Sequence, residues 1–280
     1  MGQSSAGGRG RAHAAMPGHL CDNLASLTRP AAADDNACVK KSPELSAIPV
    51  AAVLAETHET VRLQLAPVPA SFLEAYERAG QYVMVARDGG ELAPYAIASA
   101  PAQEPVELLV RRGGERGADL ALAAVGERVQ VGLPSGPGFP LAASCGADLV
   151  LVGMGAAVSA LRAVVVSVMR ERKAWGRVSI FLGARLPHDF PFRDEFVAWR
   201  AAGIEIHPAA SNISHEDSVH RRGRVQDSLR RSTPPLRNAH VFAAGSTAML
   251  AELATLMHEL GLPEGRFHTN IGRGAKAERP

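Results

Sequence analysis

The stretch APYAIASAP, Ala93 to Pro101, sets one aromatic ring, Tyr95, among residues with almost no side chain, and brackets it with Pro94 and Pro101. A rigid ring with small neighbours offers a flat contact and lets a planar ligand approach the backbone. The same residues suit an edge strand whose tyrosine fills a local core. In VGMGAAVSAL, Gly153 and Gly155 let the chain turn tightly after an apolar run. Their backbone N–H groups can then meet a phosphate at a helix start, where the helix dipole favours negative charge. A plain strand-to-helix turn needs the same glycines. After two further apolar runs, GAR brings in Arg185, and AAGSTAM brings in Gly245 and the hydroxyls of Ser246 and Thr247.

The elements that must position these residues fall into two groups. From Ser46 to about Ala143, IPVAAVLAE, TVRLQLAP, QYVMVARDGG, YAIASAP, VELLVRRGG and ERVQVGLPSGPG read as six short strands punctuated by Gly, Pro and Asp, with one short helix near GADLALAAV. Six short strands without a long helix imply an antiparallel six-stranded β-barrel over residues 46–143. Over residues 147–272 the pattern becomes strand then helix, four times: ADLVLVGM, RVSIFLGAR, IEIHPAAS and AHVFAAGS each precede a helical run, and GRFHTNI supplies a fifth strand. That alternation demands right-handed crossovers and an α/β domain with a parallel five-stranded sheet. Such sheets bind ligands at the carboxyl ends of their strands, where Gly153, Gly155, Arg185, Gly245 and Ser246 all stand.

Composition narrows the function. The 280 residues are 46% apolar and 21% charged with a net charge of +2, which gives no reason to expect a nucleic-acid partner. The apolar run DLVLVGMGAAVSALRAVVVSVM contains two early glycines and Arg162, so it reads as a buried strand and packed helix and no membrane span is expected. Cys21, Cys38 and Cys145 form no CxxC pair, and His207, His215, His220, His240, His258 and His268 show no ligand spacing, so no metal site is expected. No Ser/His/Asp or Cys/His set is legible. Residues 1–45 are Ala-, Gly- and Ser-rich and carry Arg9, Arg11 and Arg29, as a disordered tail or an organelle transit peptide does; residues 273–280 form a polar tail.

Taken in order, GQY at Gly80 to Tyr82, PYAIAS, LLVRRGG, GERVQVGLPSGPGF, VGMG, LGAR, RDEF, GRVQDSL and AAGSTAM resemble the ferredoxin-NADP reductase superfamily over about Ser46 to Gly272. The resemblance implies FAD, in preference to FMN, on the barrel, and NADPH or NADH on the α/β domain. By that likeness Tyr95, Ala96, Ile97, Ala98 and Ser99 border the flavin, with Leu109, Val110, Arg111, Arg112 and Gly117 from the next strand and its turn, while Gly153, Gly155, Ala157, Arg185, Gly245 and Ser246 hold the pyridine nucleotide. It also implies an electron acceptor that the sequence does not identify, and a chloroplast location in a eukaryote or a cytoplasmic one otherwise.

The departures are specific. Ala93 replaces the arginine that binds the flavin phosphates, Ala96 replaces a serine, Ala157 and Ala160 replace a glycine and a proline, and Ala244 replaces a cysteine. Losing a charge-assisted contact costs roughly 1.5 to 3 kcal/mol, so Arg111, Arg112 or Arg116 must substitute for the lost partner if FAD is to bind tightly. Arg185, Ser211, Arg221 and Arg222 favour a 2'-phosphate and therefore NADPH. The expected activity is hydride transfer from NAD(P)H to FAD and onward electron delivery. A catalytically weakened nucleotide-binding module or electron-transfer subunit is the alternative.

Overall fold

The computed structural model describes residues 44–113, 118–213 and 221–271. The tail, Gly117, Arg116, Cys21, Cys38, His215 and His220 lie outside them. In the first half, six strands β1 (Leu45–Ala55), β2 (Thr60–Leu65), β3 (Tyr82–Ala86), β4 (Ala93–Ala96), β5 (Val106–Arg111) and β6 (Arg128–Gly132) pair antiparallel in the order β4-β3-β6-β1-β2-β5. A single bridge, Ile97 to Leu108, brings the two end strands together, so the barrel is nearly closed. Alternation of side chains makes the core: Val61, Leu63 and Leu65 of β2 and Val106, Leu108 and Val110 of β5 point inward. Glu107, Leu109 and Arg111 take the outer face.

The short helix expected near GADLALAAV is a 3₁₀ turn, Ala118–Leu122. A helix α1 (Ala70–Ala75), which the sequence did not reveal, links β2 to β3. It buries only Phe72 and has no side-chain cap, so it leaves no periodic signal.

The second half carries β7 (Asp148–Met154), α2 (Val158–Arg170), β8 (Val178–Ala184), α3 (Phe196–Ala201), β9 (Ile204–Ala210), β10 (Arg221–Arg222), α4 (Val225–Ser232), β11 (Ala239–Ala244), α5 (Thr247–Glu259) and β12 (Phe267–Thr269). The five expected strands form a parallel sheet in the order β9-β8-β7-β11-β12, and the two-residue β10 extends its edge beside β9. Two residues are too few to show a strand pattern, which is why Arg221 and Arg222 read as loop. From β7 the chain runs outward through β8 and β9, then returns to β11 on the other side. The carboxyl ends of β7 and β11 therefore flank a topological switch point, the usual ligand crevice of an open α/β sheet. The sheet strands are apolar on both faces, as helices on each side require: Leu149, Leu151, Val152, Ile180 and Leu182 are all fully buried.

Candidate functional site

Two clefts lie along the carboxyl edge of the parallel sheet. The first, about 230 Å³, is lined by Ser211, Arg224, Gln226, Ser246 and Glu252 among others. The second, about 200 Å³, reaches the barrel through Thr57, Thr60 and Arg111, and takes in Gly155, Ala156 and Arg185. Met154, Gly183 and Ala184 line both, so the two adjoin at the ends of β7 and β8, one reaching toward α5 and the other toward the end of β5.

The glycines of this edge have different duties. Gly155 sits at φ +56, and an added Cβ would meet nothing within 4 Å. Glycine is there for a left-handed backbone at an open cradle, where N–H groups can approach a phosphate. A Cβ on Gly153 would stand 2.6 Å from Leu161 and 3.3 Å from the Ala244 carbonyl, so this glycine lets α2 pack on the strand. At Gly245 the Met249 sulfur occupies the space that a Cβ would need. Ser246 caps α5 by accepting from the Met249 N–H at 3.3 Å while its exposed side lines the first cleft. Ala157 is half-buried in the turn Gly155–Ala157 and lines neither cleft, whereas its neighbour Ala156 lines the second.

Arg185 is exposed at the mouth of the second cleft and Ser211 lines the first. Arg222 lines neither cleft, and the side chain of Arg221 lies outside what the structure describes. Arg224, which the sequence reading passed over, takes that place, with its Nη1 3.4 Å from Glu252. It caps α4 just after β10, a position visible only once the strand is placed.

On the barrel, β4 pairs with β3 over Ala93–Ala96 and β5 pairs with β2 over Val106–Arg111. Beyond the Ile97 to Leu108 bridge β4 and β5 are not paired with each other. The barrel thus opens into a seam between Ala93–Ala96 and Leu109–Arg111, with two strand edges facing a gap. Those are the residues the sequence reading placed around a planar ring. Tyr95 borders the seam, half-buried against the barrel core, and burial pushes its phenol up to about 12, with the Asp119 carboxylate adding to the effect. Ala96 keeps that edge free of bulk.

The other assigned barrel residues serve the wall itself. Ile97, Ala98 and Ser99 are fully buried; the Ser99 hydroxyl accepts from the Glu107 N–H at 3.1 Å and its carbonyl accepts from Tyr76 at 2.6 Å. Leu109 and Val110 are buried as well, Leu109 on the outer face, where β5 packs against the turn Gly155–Ala157. The strand bordering the seam therefore lies beside the Gly155–Ala157 turn. Arg111 lies exposed at the seam's end, 3.4 Å from Glu59, and Arg112 follows it, also exposed. Ala93 is 3% exposed, so nothing stands in for the arginine on β4 itself.

A buried ionic network holds the two halves in register. Arg162 of α2 is 6% exposed; its Nη1 donates to Glu107 of β5 at 2.5 Å and to the Ala98 carbonyl at 3.0 Å, and its Nε and Nη2 reach Glu195 at 2.9 and 2.7 Å. Arg62 of β2 binds Glu195 at 2.8 Å and Glu56 at 3.1 Å. Both guanidinium groups lie over the Phe192 ring, at 4.9 and 5.5 Å. Phe192 has φ +59, a left-handed backbone that costs a bulky residue about 1 to 3 kcal/mol. Its N–H donates to Glu56, and the two cations hold its ring. The carboxylates around it keep Arg162 charged despite the desolvation that opposes it, and burial raises Glu56 above the usual carboxylate range. The sequence analysis met Glu195 only within RDEF and missed Glu107, whose place among apolar strand residues was the available signal.

Residues 151–254 match the family model of the oxidoreductase NAD-binding domain. The chain is 23% identical over 206 residues to the sulfhydrogenase 2 gamma subunit of Pyrococcus furiosus, covering 69% of this chain and 71% of that one. It is 24% identical over 198 residues to a terephthalate 1,2-dioxygenase reductase component of Comamonas, again over 69% of this chain, and spans 58% of that relative's length. In structure it resembles a ferredoxin NADP+ reductase from Neisseria gonorrhoeae with bound FAD and NADP, with a TM-score of 0.69 at 15% identity over 81% of this chain and 98% of that one.

Proposed function

From an α/β half that belongs to the oxidoreductase NAD-binding domain family, joined to a barrel in the two-domain fold of ferredoxin-NADP reductases, we propose that this chain is an NAD(P)H-dependent flavin reductase serving a separate electron acceptor. The observation that carries the reading is a pair of adjoining clefts that share Met154, Gly183 and Ala184, one lined by Ser211 and Arg224 and the other by Arg111 at the barrel seam. They set a nucleotide crevice beside a gap bordered by an aromatic ring.

The residues fit both cofactors. Open strand edges in the seam present backbone N–H and C=O groups to the polar rim of a flavin ring, and Tyr95 supplies its platform. Arg111 and Arg112 are the cations nearest the seam in sequence and offer charge to the FAD phosphates. Gly155 turns its backbone toward the nucleotide phosphates, and Arg185, Arg224 and Ser211 suit a 2'-phosphate, which favours NADPH. A bound flavin supplies acceptance of an electron pair from the nicotinamide and delivery of single electrons. The protein's part is to orient two planar groups and to keep them registered through the β5 contact with the Gly155–Ala157 turn. The acceptor is a separate redox protein, an assignment supported by similarity to an oxygenase reductase component.

The buried Ala93 favours a second reading, a nucleotide-binding subunit that holds flavin poorly. Reconstitution decides between them. The parent should take up FAD and lose its visible flavin absorbance when NADPH is added anaerobically, more efficiently than with NADH. Tyr95→Ala should weaken FAD by roughly ten- to a hundredfold, from the loss of about 1 to 3 kcal/mol of ring contact. A folded parent that binds NADPH but cannot be reconstituted with flavin would establish the subunit instead.

A further inference from the structure

At the edge of the second cleft, three side chains with metal-ligating atoms converge from both halves of the molecule. His58 lies in the turn between β1 and β2, and His188 and Asp189 lie in a 3₁₀ turn after β8, Pro187–Asp189. His58 Nδ1 stands 3.2 Å from Asp189 Oδ1, and His188 Nε2 stands 3.7 Å from the same oxygen. The three ligand atoms lie within 4.8 Å of one another, and no other such group of His, Cys, Asp or Glu occurs among the described residues. We propose that His58, His188 and Asp189 form a binding site for a divalent first-row metal ion, of the Zn2+ class, that staples the β1–β2 turn of the barrel to the α/β domain.

The carboxylate shows the demand most clearly. Asp189 Oδ2 accepts from the Leu186 N–H at 3.0 Å, which fixes the group's orientation. That leaves Oδ1 sealed from solvent with no hydrogen-bond partner, aimed between the two imidazoles. A buried carboxylate oxygen without a donor is costly, and an ion placed among the three atoms would satisfy it together with both nitrogens. Two imidazoles and one carboxylate are donors suited to Zn2+, Ni2+ or Cu2+ and poorly suited to Mg2+ or Ca2+, which take oxygen ligands. Tetrahedral bonds of about 2.0 to 2.2 Å set ligand atoms roughly 3.3 to 3.5 Å apart. Both histidine-to-aspartate separations lie close to that span. The histidine side chains are 59% and 62% exposed, so the remaining coordination position faces water and the ion can exchange. Asp189 also lines the second cleft beside Thr57 and Glu59, which puts the staple at the edge of the path to the seam.

The test uses the full chain stripped with a chelator. Zn2+ titrated by calorimetry should bind one equivalent that is absent from the double variant His58→Ala/His188→Ala, in which every other histidine is kept. Each single variant should weaken binding by at least about tenfold. Co2+ in the same position should show visible bands of a four-coordinate ion, and Zn2+ should raise the parent's melting temperature but not the double variant's. Both histidines are exposed, so the variants retain the fold. Failure of the parent to bind stoichiometric metal, or binding undiminished in the double variant, overturns the assignment. Neither result depends on flavin or nucleotide, so the proposed reductase activity stands or falls separately.

Discussion

Replacing Arg162 by alanine removes a side chain that touches Glu107 of β5, the Ala98 carbonyl and Glu195 at once. Glu107, 4% exposed, would be left buried with Gln64 at 2.9 Å as its neutral donor and Arg62 4.0 Å away. Breaking a buried pair by removing one partner costs about 3 to 5 kcal/mol, because the surviving charge stays desolvated. Arg62 still holds Glu195 at 2.8 Å, which limits the loss to the lower part of that range, about 3 kcal/mol. For a chain of this size each kcal/mol moves the melting temperature by roughly 2 to 4 °C, so a fall of about 6 to 12 °C is expected. Urea unfolding, which yields the midpoint and slope together, is the assay. Arg162→Lys, which keeps the charge and loses the fork, should fall between the two. An Arg162→Ala protein within about 0.5 kcal/mol of the parent would refute the claim that this network joins the halves.

Gly155→Val should abolish NAD(P)H-driven flavin reduction while flavin binding and folding persist, because a branched side chain enters the open cradle and resists φ +56; full activity in a folded variant would remove the cradle from the nucleotide path. Glu56 behaves oppositely to a carboxylate stabilised by pairing. Its folded pKa is raised chiefly by burial, so the parent loses stability as pH rises from below the unfolded value, about 4.3, through the folded one. Glu56→Gln keeps an acceptor for the Phe192 N–H and does not titrate. It should therefore gain on the parent between about pH 4 and 7, and a variant that loses ground over that interval in thermal unfolding would contradict the direction of the shift.

The barrel and the sheet were legible because their signals are local. Val61, Leu63 and Leu65 alternate with polar residues, and each sheet strand is an apolar run ending in glycine, small residues or a helix start. Gly155, Arg185, Ser211 and Ser246 could be placed at one edge for the same reason: a parallel sheet puts all its strand ends on one side. Contacts that depend on how the halves meet could not be read. Arg162 lies in an apolar helical stretch and Glu107 in an apolar strand, each apparently out of place, and only their 2.5 Å contact explains both. His58 has no ligand spacing to His188 because its partners come from the other half of the chain. Nor could the place of the Ser99 hydroxyl be read, since it turns inward and accepts from the Glu107 N–H of β5.

Under the proposed flavin site, the charge of the arginine that β4 lacks would come from across the seam. Ala93 pairs with Val85 and is buried, so a guanidinium at this position would have to displace neighbouring wall residues before reaching the gap. Arg111, at the far lip of the same opening and on the strand that packs against the phosphate-cradle turn, can serve the gap without crossing the wall. Its ion pair with Glu59 is exposed, at 64% and 45%, and therefore weak enough to exchange for a phosphate. In that proposal a cation supplied from β5 instead of β4 would leave the platform at Tyr95 unchanged and would set the positive charge beside the second cleft. Flavin affinity in this chain should accordingly depend on ionic strength more than it would with a buried bidentate arginine, since an exposed cation is screened over about 8 to 10 Å at ordinary salt.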